Sequence, residues 1–114
     1  MNIGETLDAR SPDDFFDWLA ASGQSKQEIW VILYKKGSGK QTVTYQELVD
    51  VALCYGWIDG ISKGIDAEKY AQRFSPRRKK SNWTETNKAI ARRLIAEGRM
   101  TTAGQAALPE DMRQ

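Results

Sequence analysis

The run IWVILY, residues 29–34, is the feature that most constrains how this chain folds. It is short, continuously apolar or aromatic, and rich in β-branched residues, a combination typical of a strand. A strand that carries apolar side chains on both faces lies inside a sheet and needs cover on both sides. The run therefore predicts a central strand around which the other elements pack.

Local capping signals mark one helix on each side of this strand. Ser11 is the expected N-cap of the first helix and Pro12 its first helical residue, a position that suits proline. Thr44 and Glu47 have the spacing of a capping box, which predicts the start of the second helix. Gly56 is the expected stop of that helix.

The segment 57–75 predicts two strands joined by a short loop. A hairpin centred on this loop places Ile58 opposite Phe74 on the core side of the sheet. The same register places Asp59 opposite Arg73 on the other side, as a cross-strand ion pair. Either this pair only holds the hairpin together, or the carboxylate orients the arginine towards a ligand.

The last third of the chain predicts a helix that is capped by Ser81 or Thr84, followed by a shorter helical piece that ends before Pro109. Together these elements predict an α+β fold, with a small sheet of about three strands (one hairpin) packed with three to four helices. We expect a single domain over residues 1–114, with its core at about residues 11–107.

The chain contains no histidine and one cysteine, Cys54. This composition excludes Ser-His-Asp and Cys-His catalytic arrangements and removes the commonest nitrogen ligand for transition metals. We therefore expect no metal site, no cofactor and no internal disulfide, with Cys54 a small buried apolar side chain. No apolar run is long enough for a membrane span and no secretory signal is recognisable, so we expect a cytoplasmic protein.

Positive charge is concentrated in the second half of the chain. Residues 1–57 hold five basic and eight acidic residues (net −3), whereas residues 58–114 hold twelve and seven (net +5). The densest stretch is RFSPRRKKSNW, residues 73–83, which has five positive charges and no negative charge. Because it leads into a predicted helix N-terminus, arginines, hydroxyls and unpaired backbone N–H groups come together there, as they do in anion sites.

This stretch predicts a site for an anionic ligand, either a phosphate-bearing small molecule or single-stranded nucleic acid. Arg73 and Arg77 would contact the anion, Asp59 would orient Arg73, and Trp83 would stack on the ligand. The candidate ligand-binding residues are Asp59, Arg73, Ser75, Arg77, Arg78, Ser81, Trp83 and Asn87. The alternative is a solvated run of charges, in which Ser81 only caps the helix and Trp83 only packs on the core.

Two further hypotheses belong to other classes of protein. One is an enzyme that acts on an acidic or phosphorylated small molecule, with Asp59 or Tyr55 as the acid–base group. The other is a protein-interaction module that works through exposed aromatic residues. The sequence GSGKQT predicts a flexible turn rather than a phosphate-binding P-loop, because Tyr34 and Gln41 occupy positions that the motif reserves for Gly and for Ser or Thr.

Three phrases of the sequence together resemble the YdeI/OmpD-associated family, also called bacteriocin-protection proteins. They are WLAASG, then EIWVILYKKGSGKQTVTYQELVDVALCYGWIDG, then RFSPRRKKSNWTETNKAIARRLIAEGRMTTAG. The resemblance covers roughly residues 13–105, and GWIDG, RFSPR and SNW…NK are its most distinctive parts. The residues that carry this signature are Trp57, Asp59, Arg73, Ser75, Pro76, Arg77, Ser81, Trp83 and Asn87.

The resemblance implies a cytoplasmic protein linked to envelope stress and antimicrobial-peptide tolerance, with no established reaction or cofactor. Many members of that family continue into a helical region rich in lysine and arginine. This sequence stops at LPEDMRQ, where such a region would begin, so the resemblance also implies a possible missing C-terminal extension after residue 108.

Overall fold

A four-stranded mixed sheet forms the centre of the structure, a computed structural model that describes residues 2–78 and 83–112. The strands lie in the order β1-β2-β4-β3. The elements in chain order are β1 (Thr6–Leu7), α1 (Pro12–Ser22), β2 (Ile29–Tyr34), α2 (Tyr45–Cys54), β3 (Trp57–Gly64), β4 (Lys69–Pro76), α3 (Glu85–Ala96) and α4 (Thr102–Ala107), with short 3₁₀ turns at Lys36–Ser38 and Glu110–Met112.

The α+β class predicted from the sequence is confirmed, but the sheet has one strand more than the expected three. The additional strand is β1, which has two residues and runs parallel to β2 with Thr6 opposite Trp30 and Leu7 opposite Val31. Two residues are too few to show an alternating pattern, so only the backbone bonding to β2 identifies them as a strand.

The strand β2 is an interior strand, as its apolar run predicts, and its two faces meet different surroundings. Ile29, Val31 and Leu33 join the main core with side chains of α1, α2 and β4. Trp30 and Ile32 point to the other face, where they form a smaller buried cluster with Ala71 of β4. The helices therefore cover one face, while Ile3 and Tyr34 pack against the cluster on the other.

The helix starts follow the capping signals closely. Thr44 and Glu47 form both bonds of the capping box at the start of α2. The Thr84 hydroxyl accepts a hydrogen bond from the backbone N–H of Asn87 and caps α3. Ser11 occupies the N-cap position of α1 but makes no side-chain capping bond within the described residues. There the Asp14 carboxylate instead accepts a bond from the Arg10 backbone N–H, at 2.8 Å.

The register of the β3–β4 hairpin differs by one residue from the prediction. Asp59, not Ile58, lies opposite Phe74, and Ile58 lies opposite Ser75. A bulge between Asp59 and Ser62 then shifts the pairing again. Because successive side chains alternate between the faces of a sheet, a one-residue shift moves every partner to the opposite face. The predicted Asp59–Arg73 pair is therefore wrong.

The bulge is supported by the one polar residue in the core of the described chain, Gln72, whose side chain is 4% exposed. Its amide nitrogen donates to the carbonyl oxygens of Gly60 and Ile61, at 2.8 and 3.2 Å. These bonds satisfy carbonyl groups that the irregular pairing turns away from the β4 ladder.

Among the described helices, none is long and apolar enough to cross a membrane.

Candidate functional site

Arg73 lies on the face of the sheet away from the helices, because its neighbour Phe74 points into the helix-covered core. Its Nε donates to a carboxylate oxygen of Glu28 at 2.7 Å, so Glu28 takes the place predicted for Asp59. This bond is the main reason that the pKa of Glu28 is lowered. Arg73 is therefore held by a residue 45 positions earlier in the chain, on the face of the sheet away from the helices.

Asp59 contacts a different element, the first turn of α2. Its carboxylate accepts a short hydrogen bond from the hydroxyl of Tyr45. Burial, followed by this bond, raises the pKa of Tyr45, so the phenol stays protonated and acts as a donor. The negative charge of Asp59 also acts on Arg77, where it favours the protonated guanidinium. The geometry thus associates Asp59 with Arg77 and not with Arg73.

Arg77 leaves the end of β4 towards the helices. Its backbone N–H donates to the Gly56 carbonyl at 2.9 Å, which fixes it beside the turn between α2 and β3. The guanidinium carbon lies 3.9 Å from the centre of the Trp83 ring, a close cation–π stack. Burial lowers the pKa of Arg77, and the Asp59 charge opposes that shift. The side chain is thus half-buried against the Trp83 ring.

A cleft of about 650 Å³ opens next to this stack. Its walls are Gly23 after the end of α1, the turn 55–57, the segment 76–78, and Ala103, Ala106 and Ala107 of α4. The helix α4 is placed there by Thr101, whose backbone N–H and hydroxyl both donate to the Cys54 carbonyl at the end of α2. The cleft therefore lies where α1, α2, β4 and α4 meet.

The charge of the cleft is positive. Arg77 and Arg78 both line it, and the described lining residues include no aspartate or glutamate. Tyr55 also lines it, and burial raises the pKa of its phenol, which keeps the hydroxyl protonated at neutral pH. Two guanidinium groups in one cleft give it a positive potential, which favours the binding of an anion.

The remaining predicted site residues are spread over several places. Arg78 is exposed at the rim of the cleft, and Ser75 lies half-buried opposite Ile58, on the face that carries Arg73. Asn87 lies in the first turn of α3, where its backbone N–H is used by the Thr84 cap. Ser81 lies outside the described residues, as do Lys79 and Lys80. The structure thus brings together Arg77, Arg78 and Trp83, but not Arg73 or Ser75.

A sequence profile of the family described as "Domain of unknown function (DUF8412)" matches residues 7–107. The chain belongs to this family. No curated protein and no solved structure gives a significant match. The cleft of this DUF8412 domain lies wholly within the matched segment, from Gly23 at one end to Ala107 at the other.

Three features of this DUF8412 domain were not predicted from the sequence: Glu28 as the partner of Arg73, Tyr45 as the partner of Asp59, and the alanines of α4 that line the cleft. An available signal was the spacing of Ala103, Ala106 and Ala107, which places three small side chains on one face of a short helix. Nothing local marks Glu28 or Tyr45, because their partners are 45 and 14 residues away in the chain.

The Glu28–Arg73 ion pair predicts a specific pH dependence of stability. The folded-state pKa of Glu28 is lowered from its ordinary value of 4.5, so the pair stabilises the fold above that value. This stabilisation is lost as the pH falls through the lower, folded-state pKa. Replacing Glu28 by Gln should therefore reduce the free energy of unfolding at about pH 6 and have a smaller effect at about pH 2.5.

Urea denaturation at these two pH values measures the effect. Glu110 provides a matched control, because it is exposed in the last 3₁₀ turn, away from Arg73. The Glu110→Gln variant should unfold like the wild type at both pH values. A Glu28→Gln deficit of equal size at both would show that the charge of Glu28 does not cause the loss.

Proposed function

We propose that this domain binds a small anionic, phosphate-bearing ligand in the cleft between the end of β4 and α4, without catalysing a reaction. The observation that carries the proposal is that Arg77 and Arg78 line the same cleft, and that its described lining has no carboxylate. The volume of about 650 Å³ is in the range of small-molecule sites, which run from roughly 300 to 1,000 Å³.

The fixed position of Arg77 supports this proposal. Its stack on Trp83 and its backbone bond to Gly56 hold the side chain in one orientation before any ligand arrives. An arginine that is already ordered loses less conformational freedom when it forms bonds to an anion. Arg78, which is exposed at the rim, would add the second charge.

The geometry favours a small ligand over single-stranded nucleic acid. A nucleic-acid groove usually follows the backbone over several phosphates with a row of basic and stacking side chains. Here Arg73 is paired with Glu28 on the other side of the sheet, and the Trp83 ring is already stacked on Arg77. Two arginines in one cleft match a single phosphate group better than they match a strand.

We also propose kinship with the YdeI/OmpD-associated proteins, and with it a cytoplasmic role connected to envelope stress or antimicrobial-peptide tolerance. The support is positional: Trp57, Pro76 and Arg77, which belong to the signature quoted above, all line the cleft. The free, buried Cys54 also fits a reducing compartment.

The enzyme hypothesis has less support from the geometry. Tyr55 lines the cleft, but Asp59 does not, and its carboxylate is bonded to Tyr45. An acid–base mechanism needs its groups within reach of one substrate. We therefore base the proposed function on binding alone.

Replacing Arg78 by Ala is expected to weaken anion binding by about 1.5–3 kcal/mol, or roughly 10- to 150-fold in Kd, because a charge-assisted hydrogen bond is lost. Arg78 is exposed, so the variant should fold normally. Isothermal titration with inorganic phosphate and a panel of phosphate monoesters measures the change. Arg10, exposed before the opposite end of α1, supplies the matched control, and Arg10→Ala should bind like the wild type.

The same titrations separate a small-anion site from a nucleic-acid surface. For single strands the logarithm of the affinity falls with the logarithm of the salt concentration by about 0.7 per neutralised phosphate, so a strand contacting several arginines shows a steep slope. We expect oligothymidylate to bind no better than a phosphate monoester at moderate salt. Equal affinity of the Arg78→Ala variant and the wild type for every anion tested would refute the proposed function.

A further inference from the structure

The wall of the cleft formed by α4 is apolar, whereas the segment that holds Arg77 and Arg78 is positively charged. Ala103, Ala106 and Ala107 all line the cleft, and their spacing places three methyl groups on one helical face. Trp57 and Pro76 add apolar surface from the ends of β3 and β4. The cleft therefore combines a cationic segment with a hydrocarbon surface.

Few of the side chains along this lining are polar. In the part of the chain that the structure describes, Arg77, Arg78 and Tyr55 are the only lining residues with a charged or hydroxyl-bearing side chain. A ligand rich in hydroxyls would lose hydrogen bonds to water against the alanine methyl groups without recovering them from the protein. An apolar group in the same place would gain from burial.

The size of the cleft also favours a ligand larger than a phosphate ion. A volume of about 650 Å³ is many times the roughly 30 Å³ that one water molecule occupies, so a bare phosphate ion would leave most of the space to water. Water that faces alanine methyl groups is readily displaced by an apolar group of suitable shape. The ligand is thus expected to have a body as well as an anionic head.

Resting on the proposed function, we propose that the ligand is a phosphate monoester with an aromatic or aliphatic body, not a sugar phosphate. The phosphate lies at Arg77 and Arg78, and the body lies against the α4 face formed by Ala103, Ala106 and Ala107. The narrow side chain of Ala106, exposed on α4, leaves room for that body and so determines specificity.

Three probes of the full chain test this inference by isothermal titration at one pH and one salt concentration: phenyl phosphate, glucose 6-phosphate and inorganic phosphate. Phenyl phosphate is expected to bind about tenfold more tightly than either of the others, because only its body gains from burial against apolar surface. Glucose 6-phosphate binding as tightly as phenyl phosphate, or more tightly, would overturn the inference.

Filling the α4 wall gives a second, independent readout. The Ala106→Leu variant should weaken the binding of phenyl phosphate by about fivefold and that of inorganic phosphate by less than about twofold, since only the body competes with the added side chain. Ala89, exposed on α3 and not part of the cleft lining, is the matched control. The Ala89→Leu variant should leave both affinities unchanged. Equal weakening of both ligands by Ala106→Leu would also overturn the inference.

Failure of the inference and failure of the proposed function give different results. If no probe binds, or if Arg78→Ala changes no affinity, the anion-binding cleft itself is wrong and the inference falls with it. If all three bind and depend on Arg78, but without preference for phenyl phosphate, only the inference is wrong. The comparison of ligands uses the wild-type chain, so it holds whether or not Ala106→Leu folds.

Discussion

Replacing Phe74 by Ala is expected to lower the free energy of unfolding by about 3–5 kcal/mol, as is typical for removal of a buried phenylalanine ring. Phe74 is fully buried in the main core, and its ring centre lies 5.1 Å from that of Phe15 in α1. The substitution would leave a cavity between the sheet and the helices at the point where β4 meets both β2 and β3. Urea denaturation monitored by tryptophan fluorescence measures the loss.

The exposed hairpin residue Ile61 is a suitable control for this change. Its side chain is 53% exposed, so Ile61→Ala should shift the free energy of unfolding by no more than about 0.5 kcal/mol. A loss for Phe74→Ala as small as that for Ile61→Ala would contradict the placement of Phe74 in the core. The pair of variants therefore tests which face of β4 packs against the helices.

Replacing Gly56 by Ala is expected to cost about 2–4 kcal/mol of stability, from two effects that add. Gly56 has a φ of +74°, a left-handed conformation that disfavours residues with a side chain. A β-carbon there would also lie 2.6 Å from the β-carbon of Ala107 and 3.1 Å from the carbonyl oxygen of Ala103. To admit the methyl group, α4 must move away from the turn, which changes the cleft as well as the stability.

Gly39 separates these two effects. It has nearly the same φ, +72°, but a β-carbon there would meet no atom within 4 Å. The Gly39→Ala variant should therefore show the conformational cost alone, about 1–2 kcal/mol. Thermal or urea unfolding of both variants gives the difference, which measures how closely α4 packs on the turn.

A second substitution checks the origin of that difference. Ala107→Gly removes the methyl group that the new side chain would meet, so it should recover part of the loss in the Gly56→Ala background. Equal losses for Gly56→Ala and Gly39→Ala, with no recovery in the double variant, would mean that α4 does not pack against Gly56.

The hairpin and the ion pairs show where prediction from the sequence stopped. Two strands joined by a loop near Asp66 were predicted, and the structure has both. Their register was not predicted correctly, since pairings that differ by one residue have similar local patterns but opposite faces. The bulge beside Gln72 and the contact of Asp59 with Tyr45 select the observed register, and both depend on packing.

The candidate site, too, was predicted only in part from the sequence. The sequence identified Arg77, Arg78 and Trp83 as one group, and the structure places Arg77 on the Trp83 ring and both arginines in one cleft. It did not separate Arg73 from that group. Residues 73 and 77 are close in the chain, but Arg73 lies within β4, where the bond to Glu28 holds it on the face away from the helices, whereas Arg77 follows the end of the strand and lines the cleft.

The sequence by itself determined the helix start at Thr44, the interior position of β2 and the α+β class, and it limited the cap of α3 to Ser81 or Thr84, because capping and hydrophobic runs act over a few neighbouring residues. Only the tertiary structure decided the short strand β1, the partner of Arg73 and the cleft beside α4. Each of these joins segments far apart in the chain, and such contacts form only when the whole core packs.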